Sequence, residues 1–388
     1  MKKLVFDSAL TGHHSEYIRH LINFLFKTGT KGNIIYFLLH NEFKESFPEI
    51  FAKASKVDGL IWKQITQDEF EFLKTGNPIK KSLNEYKVLD SYAKKFQVDQ
   101  VIAMDFHPLK YGSIFNRSHY SISSIQFLNF PRLSKNNFQQ KKEYYKLYLL
   151  AKLSSLNKKV DKVFILNDEQ SVNYLNKEFN TNAYRLLPDP IEQLTPAIDY
   201  DIYEHYNIPR HKKIFLHIGS LGDRKGSFQV AEAASHIPAE WKEQVAILIV
   251  GKAHIANERE RLLAQVNKLR GLKDVQVIWD QQFVASSVMK SLFDQCYAVL
   301  IPYKNSEFSS GILGHAAAAK KPVLATDSGL IRILVKKYDL GVLIDEVTGE
   351  EVAGKMIKML TNPIVPDKKS EFVENHAPQI FAKTILTD

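Results

Sequence analysis

Gly219-Ser-Leu-Gly-Asp-Arg-Lys-Gly226 and Glu307-Phe-Ser-Ser-Gly-Ile-Leu-Gly-His315 are the two stretches of this chain that decide its fold. Each follows a short apolar run typical of a buried strand, Ile214–Ile218 before the first and Ala298–Ile301 before the second. A strand, a glycine-containing loop and a helix in that order predict a parallel sheet, which binds ligands on the loops that follow its strands. Glycine turns expose backbone N–H groups there, and a lysine and a helix N-terminus add the positive potential that suits a diphosphate. These stretches therefore predict a nucleotide-type ligand.

The same alternation of strands and helices extends outward in both directions. In the second half of the chain, strands are predicted near Ile214–Ile218, Ala246–Val250, Val275–Ile278, Ala298–Ile301, Val323–Ala325 and Val342–Ile344. In the first half, they are predicted near Leu4–Phe6, Asn33–Leu39, Val101–Met104, Ser121–Phe127 and Val163–Leu166. Two runs of this kind predict the α/β class, with two Rossmann-like doubly wound domains that face each other across a cleft.

A segment rich in proline and aspartate separates the two runs. It opens with Leu187-Pro-Asp-Pro190 and continues to Pro209. This composition is typical of a linker, so we predict a first domain over residues 1–190 and a second domain over residues 191–370. The last segment, residues 371–388, is amphipathic and is predicted to pack back on the first domain as a helix.

The composition narrows the class of protein. The chain has 388 residues, of which 45% are hydrophobic and 24% charged, enough for two globular cores. It contains no apolar run of the roughly 20 residues needed to span a bilayer, and its N-terminus enters a strand directly, which predicts a cytoplasmic protein. The single cysteine excludes an internal disulfide. The formal net charge of +9 indicates an anionic partner, which is a phosphorylated ligand, anionic lipid or nucleic acid.

A basic helix is predicted within residues 135–162. Lys141, Lys142, Lys146 and Lys152 alternate there with aromatic residues and leucines at helical spacing. Three interpretations stay open: a solvated face over an ordinary core stripe, contact with the anionic inner face of a membrane as a peripheral protein, or nucleic-acid binding. No recognised nucleic-acid motif accompanies the helix, so nucleic acid is not an expected partner.

With these motifs the chain resembles the GT-B glycosyltransferases, in particular family 4, whose members are retaining and use nucleotide sugars. In that family an arginine and a lysine of the first motif hold the donor diphosphate. Here Ser220 stands at the arginine position and Lys225 at the lysine position, while Arg224 is a candidate for the missing charge. The resemblance implies that these three residues bind the donor, and that Lys225 also has a catalytic role.

The second motif of the family pairs two glutamates at the start of a helix. Glu307 occupies the first position, and the resemblance implies a catalytic role beside the transferred sugar. His315 stands at the second position, where the family glutamate accepts hydrogen bonds from the ribose. A histidine offers one such hydrogen bond and no anionic bidentate acceptor. The backbone N–H groups around Ser310, Gly311 and Ile312 are expected to face the phosphates.

Two further positions are implied by the resemblance. Phe283 and Val284 lie where family members contact the nucleotide base, although the same residues would also anchor the following helix. In the first domain, the family often places a histidine near the transferred sugar. His107 follows a predicted strand and is the catalytic candidate there.

The first loop of the chain is the remaining candidate. Gly12 is expected near the donor phosphates, and one of His13 and His14 is expected to face the acceptor or the donor. In this fold the loop after the first strand lies at the ligand-binding edge of the sheet. The loop therefore belongs to the predicted site, on its acceptor side.

These residues predict glycosyl transfer by electrostatic stabilisation of the leaving diphosphate, with Lys225 and the helix start at Gly311 as its sources. No metal and no cofactor beyond the nucleotide-sugar donor are expected, and the donor base and sugar stay open. The acceptor is expected to be a glycan, a lipid-linked glycan or another cell-envelope molecule, which implies polysaccharide biosynthesis. Two alternatives stay open. Ser220 and His315 depart from the family and would suit a catalytically degenerate sugar-nucleotide-binding or partner subunit, and an epimerase would need an additional acid/base pair.

Overall fold

The structure is a computed structural model that describes residues 1–10, 12–114, 117–127, 130–270, 275–364 and 369–387. These residues form two compact units. The first contains Met1–Pro190 and the segment that begins at Pro378, and the second contains Ile191–Ala377. Each unit is built around one parallel sheet, so the predicted α/β class is confirmed.

The first unit has seven described strands. They are β1 Lys2–Asp7, β2 Ile34–Leu39, β3 Leu60–Gln64, β4 Gln100–Ala103, β5 Ser121–Gln126, β6 Val160–Leu166 and β7 Tyr184–Leu187. Their order in the sheet is β3-β2-β1-β4-β5-β6-β7. The sequence predicts five of them and misses the two edge strands, β3 and β7. Neither edge strand has the run of buried side chains that marks the central strands, since β3 has no buried residue and β7 has two.

The second unit has six described strands, and each was predicted to within two residues. They are β8 Lys213–Ile218, β9 Val245–Val250, β10 Gln276–Asp280, β11 Ala298–Ile301, β12 Val323–Thr326 and β13 Gly341–Ile344. Their order is β10-β9-β8-β11-β12-β13. All six residues of β9 are buried, which is typical of a parallel strand that helices cover on both faces.

The helices follow the strands in both units. The first unit contains α1 His14–Thr28, α2 Phe43–Ser46, α3 Pro48–Ala54, α4 Gln67–Lys74, α5 Pro78–Phe96, α6 Lys110–Ile114, α7 Phe138–Leu156 and α8 Glu169–Phe179. The second contains α9 Ile202–His205, α10 Ser227–His236, α11 Ala239–Lys242, α12 Ala256–Arg270, α13 Ser286–Gln295, α14 Gly311–Ala318, α15 Gly329–Lys337, α16 Gly349–Thr361 and α17 Lys369–Asn375. The last helix, α18 Pro378–Thr387, returns to the first unit.

The end of the chain differs from the prediction of one helix over residues 371–388. It forms two helices, α17 and α18, and only α18 packs on the first unit, against α1. Phe372 of α17 is buried in the second unit, with its ring 4.8 Å from that of Tyr338. Phe381 and Ile385 of α18 are buried in the core of the first unit. The break falls before Pro378, because a proline begins a helix readily but cannot continue one.

Both sheets contain a switch point beside their central strand. β1 pairs with β2 on one side and with β4 on the other, and β8 pairs with β9 and β11 in the same way. The loops that follow such strands diverge and leave a crevice at the carboxyl edge of the sheet. The two motifs follow β8 and β11, so the fold places them next to each other.

Candidate functional site

The glycines of the loop after β8 allow this loop to lie close to the loop after β11. Gly219 and Gly226 have φ angles of +123° and +70°, which other residues rarely adopt. A Cβ atom on Gly226 would lie 2.1 Å from the carbonyl oxygen of Pro302. Between these glycines, Asp223–Lys225 form a single 3₁₀ turn. A larger residue at position 226 would therefore push this turn away from the loop after β11.

A buried histidine fixes the turn to the sheet. His217 donates from Nδ1 to the carbonyl oxygen of Leu300 in β11, at 2.8 Å. Its Nε2 accepts from the hydroxyl of Ser227 at 2.9 Å, and Ser227 Oγ accepts from the N–H of Gly222 at 3.0 Å. Burial lowers the pKa of His217 to about 4, so the ring stays neutral and carries its proton on Nδ1. No sequence motif singles out His217, although a histidine inside an apolar strand is a visible signal.

The loop after β11 is joined to the same turn. The N–H of Lys304 donates to the carbonyl oxygen of Arg224 at 3.0 Å. The Lys304 ammonium donates to Asp223 at 2.6 Å, in an ion pair that is half exposed. The side chains of Ser220 and Arg224 are exposed. The two motifs therefore form one surface, in which Lys304 and Asp223 are contacts that the sequence did not suggest.

Lys225 lies where the two loops meet. Its Nζ is 3.6 Å from the centre of the Tyr303 ring. Burial and, to a smaller extent, the positive charge of Arg224 lower the pKa of Lys225 to about 7. An anion beside Nζ would favour the ammonium form and oppose both effects. Lys225 is therefore a cation whose full charge depends on an anionic ligand.

The N-terminus of α14 approaches the glycine loop. A Cβ atom on Gly219 would lie 3.8 Å from Cδ1 of Ile312, which is ordinary van der Waals contact. Ser310 precedes the helix, and Gly311 is its first residue. The first N–H groups of an α-helix have no acceptor within the helix, and they carry the positive end of its dipole. The positive end of α14 and the glycine loop therefore lie at the same edge of the sheet.

Two buried hydroxyls in this region have unused hydrogen-bonding capacity. Within the described part of the chain, neither Tyr303 Oη nor Ser310 Oγ has a hydrogen-bond partner of normal geometry. Burial raises the pKa of Tyr303 to about 12, against a smaller opposing effect of Ser310. Buried hydroxyls usually have a partner, so this pair next to Lys225 indicates that a polar ligand group belongs there.

Glu307 is held by its neighbours. Its N–H donates to Oδ1 of Asn305 at 3.3 Å, and Nδ2 of Asn305 lies 3.5 Å from its carboxylate. The preceding residue, Ser306, is buried and accepts from the N–H of Leu330 at 2.8 Å. Glu307 itself is half-buried. Its backbone is thus fixed by the core, while its carboxylate stays partly accessible.

The three remaining candidates of the second unit differ in their surroundings. His315 is half-buried in α14, with its ring 5.7 Å from that of Phe293. Val284 packs against the hydrophobic core of the unit. Phe283 is 86% exposed, so its side chain does not anchor the following helix. The structure thus supports the anchoring interpretation for Val284 and leaves Phe283 available to a ligand.

In the first unit, the first loop leads into α1 with two histidines in different roles. Gly12 has a φ angle of +75°, and His13 is exposed, with Nδ1 3.9 Å from Glu16. His14 is directed inward, and its Nδ1 lies 2.9 Å from both carboxylate oxygens of Asp7. Burial opposes the charged form of His14, but Asp7 outweighs burial and raises the pKa of this histidine. The structure therefore separates the two histidines, since His13 faces Glu16 at the surface and His14 faces the buried carboxylate of Asp7.

Three carboxylates lie at the carboxyl edge of the first sheet. Asp7 ends β1 and is buried, Asp105 follows β4, and Glu85 projects from α5 and accepts from the Ser8 hydroxyl. Burial raises the pKa of Asp105, and it raises the pKa of Glu85 to about 7, with a contribution from Asp7. Glu85 comes from a distant helix, so sequence order gave no signal for this cluster.

His107 lies at an apolar pocket. The pocket is open to solvent and is lined by Phe106, His107, Lys110, Gln126, Phe127, Phe130, Leu147, Leu150 and Ala151. Lys110 Nζ is 3.2 Å from Nε2 of His107. Burial lowers the pKa of both groups, and the positive charge of Lys146 adds to the effect. The pocket therefore combines an apolar wall with a positive potential.

Searches of the described ranges gave two negative results. They contain no group of three or more His, Cys, Asp or Glu side chains arranged to hold a metal ion. None of their helices is both long enough and apolar enough to cross a membrane.

The chain is similar to known glycosyltransferases in part of its sequence and in its fold. Residues 201–377 match the family model for glycosyl transferases group 1. A glycosyltransferase from Rickettsia africae has a similar fold, with 15% identity, coverage of 100% of this chain and 98% of that chain, and a TM-score of 0.67. HepE from Anabaena, solved with UDP and glucose, gives 15% identity, 100% and 97% coverage and a TM-score of 0.65. WaaG, a glycosyltransferase involved in lipopolysaccharide biosynthesis, gives 13% identity, coverage of 100% of both chains and a TM-score of 0.61. No curated protein matches the chain.

The fold that these structures share is that of the GT-B glycosyltransferases, and the chain has this fold over its full length. The match to the glycosyl transferases group 1 model lies within the second unit and includes Lys225 and Glu307. The fold and the family match of residues 201–377 agree with the glycosyltransferase class that the sequence motifs predict.

Proposed function

We propose that the protein transfers a sugar from a nucleotide-sugar donor to a glycan, lipid-linked or other cell-envelope acceptor, with retention of anomeric configuration, as in family 4. The observation that carries this proposal is the convergence of the glycine loop, Lys225 and the start of α14 at one edge of the second sheet. HepE, which is similar in fold, was solved with UDP-glucose, and this supports a nucleotide-sugar donor.

The donor diphosphate binds at this edge. Lys225 neutralises it, Arg224 adds long-range positive charge, and the N–H groups of Gly311 and Ile312 donate to its oxygens. The hydroxyls of Tyr303 and Ser310, which have no partner of normal geometry within the described part of the chain, then gain a polar ligand group. A diphosphate suits this arrangement because it supplies several acceptor oxygens and two negative charges or more.

The nucleoside and the sugar extend from the diphosphate in two directions. His315 hydrogen-bonds a ribose hydroxyl, and the exposed ring of Phe283 packs beside the base with Val284. Glu307 binds hydroxyl groups of the transferred sugar through its accessible carboxylate. Ser220 stands where a second cation is usual, so the charge on Lys225 carries more of the diphosphate binding in this chain.

The transfer step depends on charge. When the bond between the anomeric carbon and the diphosphate oxygen breaks, the electron pair stays on the diphosphate, and Lys225 and the α14 dipole stabilise the added charge. The acceptor hydroxyl forms the new bond on the face that the diphosphate leaves, and its proton passes to a diphosphate oxygen. This chemistry uses groups of the chain and the donor and requires no metal ion.

The acceptor binds on the first unit. The apolar pocket beside His107 offers an apolar wall to an acceptor, formed by residues such as Phe106, Phe130 and Leu147. The Lys110 ammonium gives it a positive potential, which suits an acceptor that combines an apolar part with a phosphate or carboxylate. His14, held by Asp7, is placed to orient an acceptor hydroxyl at the same edge of the sheet.

The decisive experiment is calorimetric binding of UDP-, GDP-, ADP- and TDP-glucose, with detection of the nucleotide that is released. We expect one donor to bind saturably and to be hydrolysed slowly without acceptor. Lys225→Met should weaken binding of the donor and slow its hydrolysis. The control is Lys358→Gln, an exposed lysine on α16 that should change neither.

The other outcomes separate the alternatives. Binding without hydrolysis, even after addition of membrane extract, would favour a non-catalytic sugar-nucleotide-binding subunit. Absence of binding by every donor of the panel would refute the nucleotide-sugar proposal.

A further inference from the structure

Helix α7 carries an exposed apolar stripe. Its members are Phe138, Tyr145, Leu149, Leu153 and Leu156, whose exposed fractions are 83%, 63%, 54%, 38% and 70%. Their spacing of seven, four, four and three residues puts them on one face of the helix. We call these five side chains the α7 stripe. An aligned set of large apolar side chains in water is unusual for a surface and indicates a partner.

The α7 stripe is not needed for packing within the first unit. The helix packs on that unit through its opposite face, where Tyr144, Ala151 and Ser154 are buried. Tyr144 packs on Phe130, at a ring distance of 5.2 Å. The helix is therefore apolar on two sides, and only one side is used by the fold.

Lysines flank the α7 stripe. The helix contains four lysines, Lys141, Lys142, Lys146 and Lys152, and all four are exposed. It contains one acidic residue, Glu143, which lies 3.4 Å from Lys146. An apolar stripe between cations is the pattern of helices that lie in the plane of an anionic bilayer, with apolar side chains among the acyl chains and lysines at the headgroups.

We propose that the α7 stripe docks the protein on an anionic membrane surface. A second copy of the chain would bring the lysines of two helices together, and like charges would oppose that contact. An anionic bilayer provides acyl chains for the leucines and negatively charged headgroups for the lysines. A helix of 19 residues is about 28 Å long and would lie along the surface, consistent with the absence of a membrane-crossing helix among the described residues. This inference does not depend on the proposed transfer reaction.

Docking in this way would affect the pocket beside His107. Leu147, Leu150 and Ala151, which line that pocket, belong to α7 as well. One helix would then contact the bilayer with one face and the pocket with the other. An acceptor with an apolar part would reach the pocket from the membrane without crossing bulk water.

The test is co-sedimentation of the full chain with phosphatidylcholine vesicles, with and without about 30% phosphatidylglycerol. We expect binding to the anionic vesicles, weakened by salt, and little binding to the neutral ones. Tyr145→Ser combined with Leu149→Ser should weaken binding at least tenfold. Lys141→Gln combined with Lys142→Gln should weaken it about thirtyfold, from about one kcal/mol per lysine.

The control is Ile198→Ser, which removes an isoleucine that is 91% exposed in the second unit and should leave vesicle binding unchanged. Circular dichroism melting shows whether each variant is folded. Equal binding to neutral and anionic vesicles, or unchanged binding by the Tyr145/Leu149 variant, would overturn the proposal. A dimer in light scattering that this variant dissociates would also overturn it, because the α7 stripe would then be an interface between copies.

Discussion

The carboxyl edges of the two sheets differ in charge, although both sheets have a switch point beside their central strand. In the second unit this edge combines Lys225 with the positive end of α14. In the first unit the corresponding edge combines Asp7, Glu85 and Asp105, with His14 paired to Asp7. The two edges therefore cannot favour the same ligand.

The loops that follow the strands, and not the sheet itself, therefore decide which ligand each unit favours. A cationic edge with exposed N–H groups suits a diphosphate. An edge of buried carboxylates repels a diphosphate and suits hydroxyl donors, which the carboxylates accept from. The proposed division of donor and acceptor between the units follows from this contrast, and the predictions below test it.

The largest expected effect is that of Lys225→Met on turnover. Removing a cation from the leaving diphosphate should lower kcat by about 10²–10³-fold. The free energy of unfolding should not fall, because burial disfavours the charged form of Lys225 in the free protein. Released-nucleotide assays and thermal melting measure the two quantities. Normal turnover in this variant would show that the cationic edge does not act on the diphosphate.

The next effect concerns stability in the first unit. The folded pKa of Glu85 is about 7, above its usual value near 4.5, so the folded state binds more protons than the unfolded state between these values. The contribution of Glu85 to stability therefore falls as pH rises from 4.5 to 7, by about 3 kcal/mol in total. Glu85→Gln should remove this fall and stabilise the unit at pH 8.

Urea unfolding at pH 5 and pH 8 measures this effect. Glu71→Gln is the matched control, since Glu71 lies on the surface of α4 and pairs with Lys74 in an exposed ion pair. If the free energy of unfolding differs between wild type and Glu85→Gln by the same amount at pH 5 and pH 8, the pKa of Glu85 is not raised in the folded first unit.

A smaller effect is expected in the pH dependence of nucleotide binding. Lys225 loses its proton near pH 7 in the free protein, and a bound diphosphate should raise its pKa. Affinity for the diphosphate should therefore fall above pH 7, by at most about tenfold per pH unit. Calorimetry with UDP from pH 6.5 to 9 measures the slope. The same slope in Lys225→Met would assign it to another group.

The smallest expected effect is that of His315→Glu. A carboxylate at this position would accept from two ribose hydroxyls, so UDP should bind about fivefold more tightly. Calorimetry of UDP and of free phosphate distinguishes ribose contact from a general change in charge, because only UDP has a ribose. Unchanged UDP affinity would show that His315 is a structural residue of α14.

Much of the second unit could be predicted because the residues of its candidate site lie in two short, contiguous stretches of sequence. Gly219, Lys225 and Glu307 belong to loops that directly follow strands with clear apolar runs, and all six strands were found. The contacts that hold these loops, such as His217 with Ser227, depend on three-dimensional register and were missed. The roles of these residues toward a donor remain proposals.

The first unit was less predictable for a physical reason. Its carboxylate cluster joins residues 7, 85 and 105, which lie on different elements, and neither spacing nor periodicity relates them. Its two edge strands lack buried runs, and α7 was recognised as a basic helix without its exposed stripe. Tyr144 and Tyr145 are adjacent in the sequence, but one is buried and the other is 63% exposed. Only the packed structure separates them.

The hydrogen bond from the Ile191 N–H to the carbonyl oxygen of His376, at 2.8 Å, joins the two ends of the second unit. That unit is therefore an uninterrupted stretch of chain with adjacent ends, inserted into the first. During synthesis from the N-terminus, the second unit is complete before α18 has been made. The first unit, which is made first, must wait for α18 to cover Tyr17 and Leu21 of α1. Domains usually fold in the order in which they are made, and this chain should complete them in the reverse order.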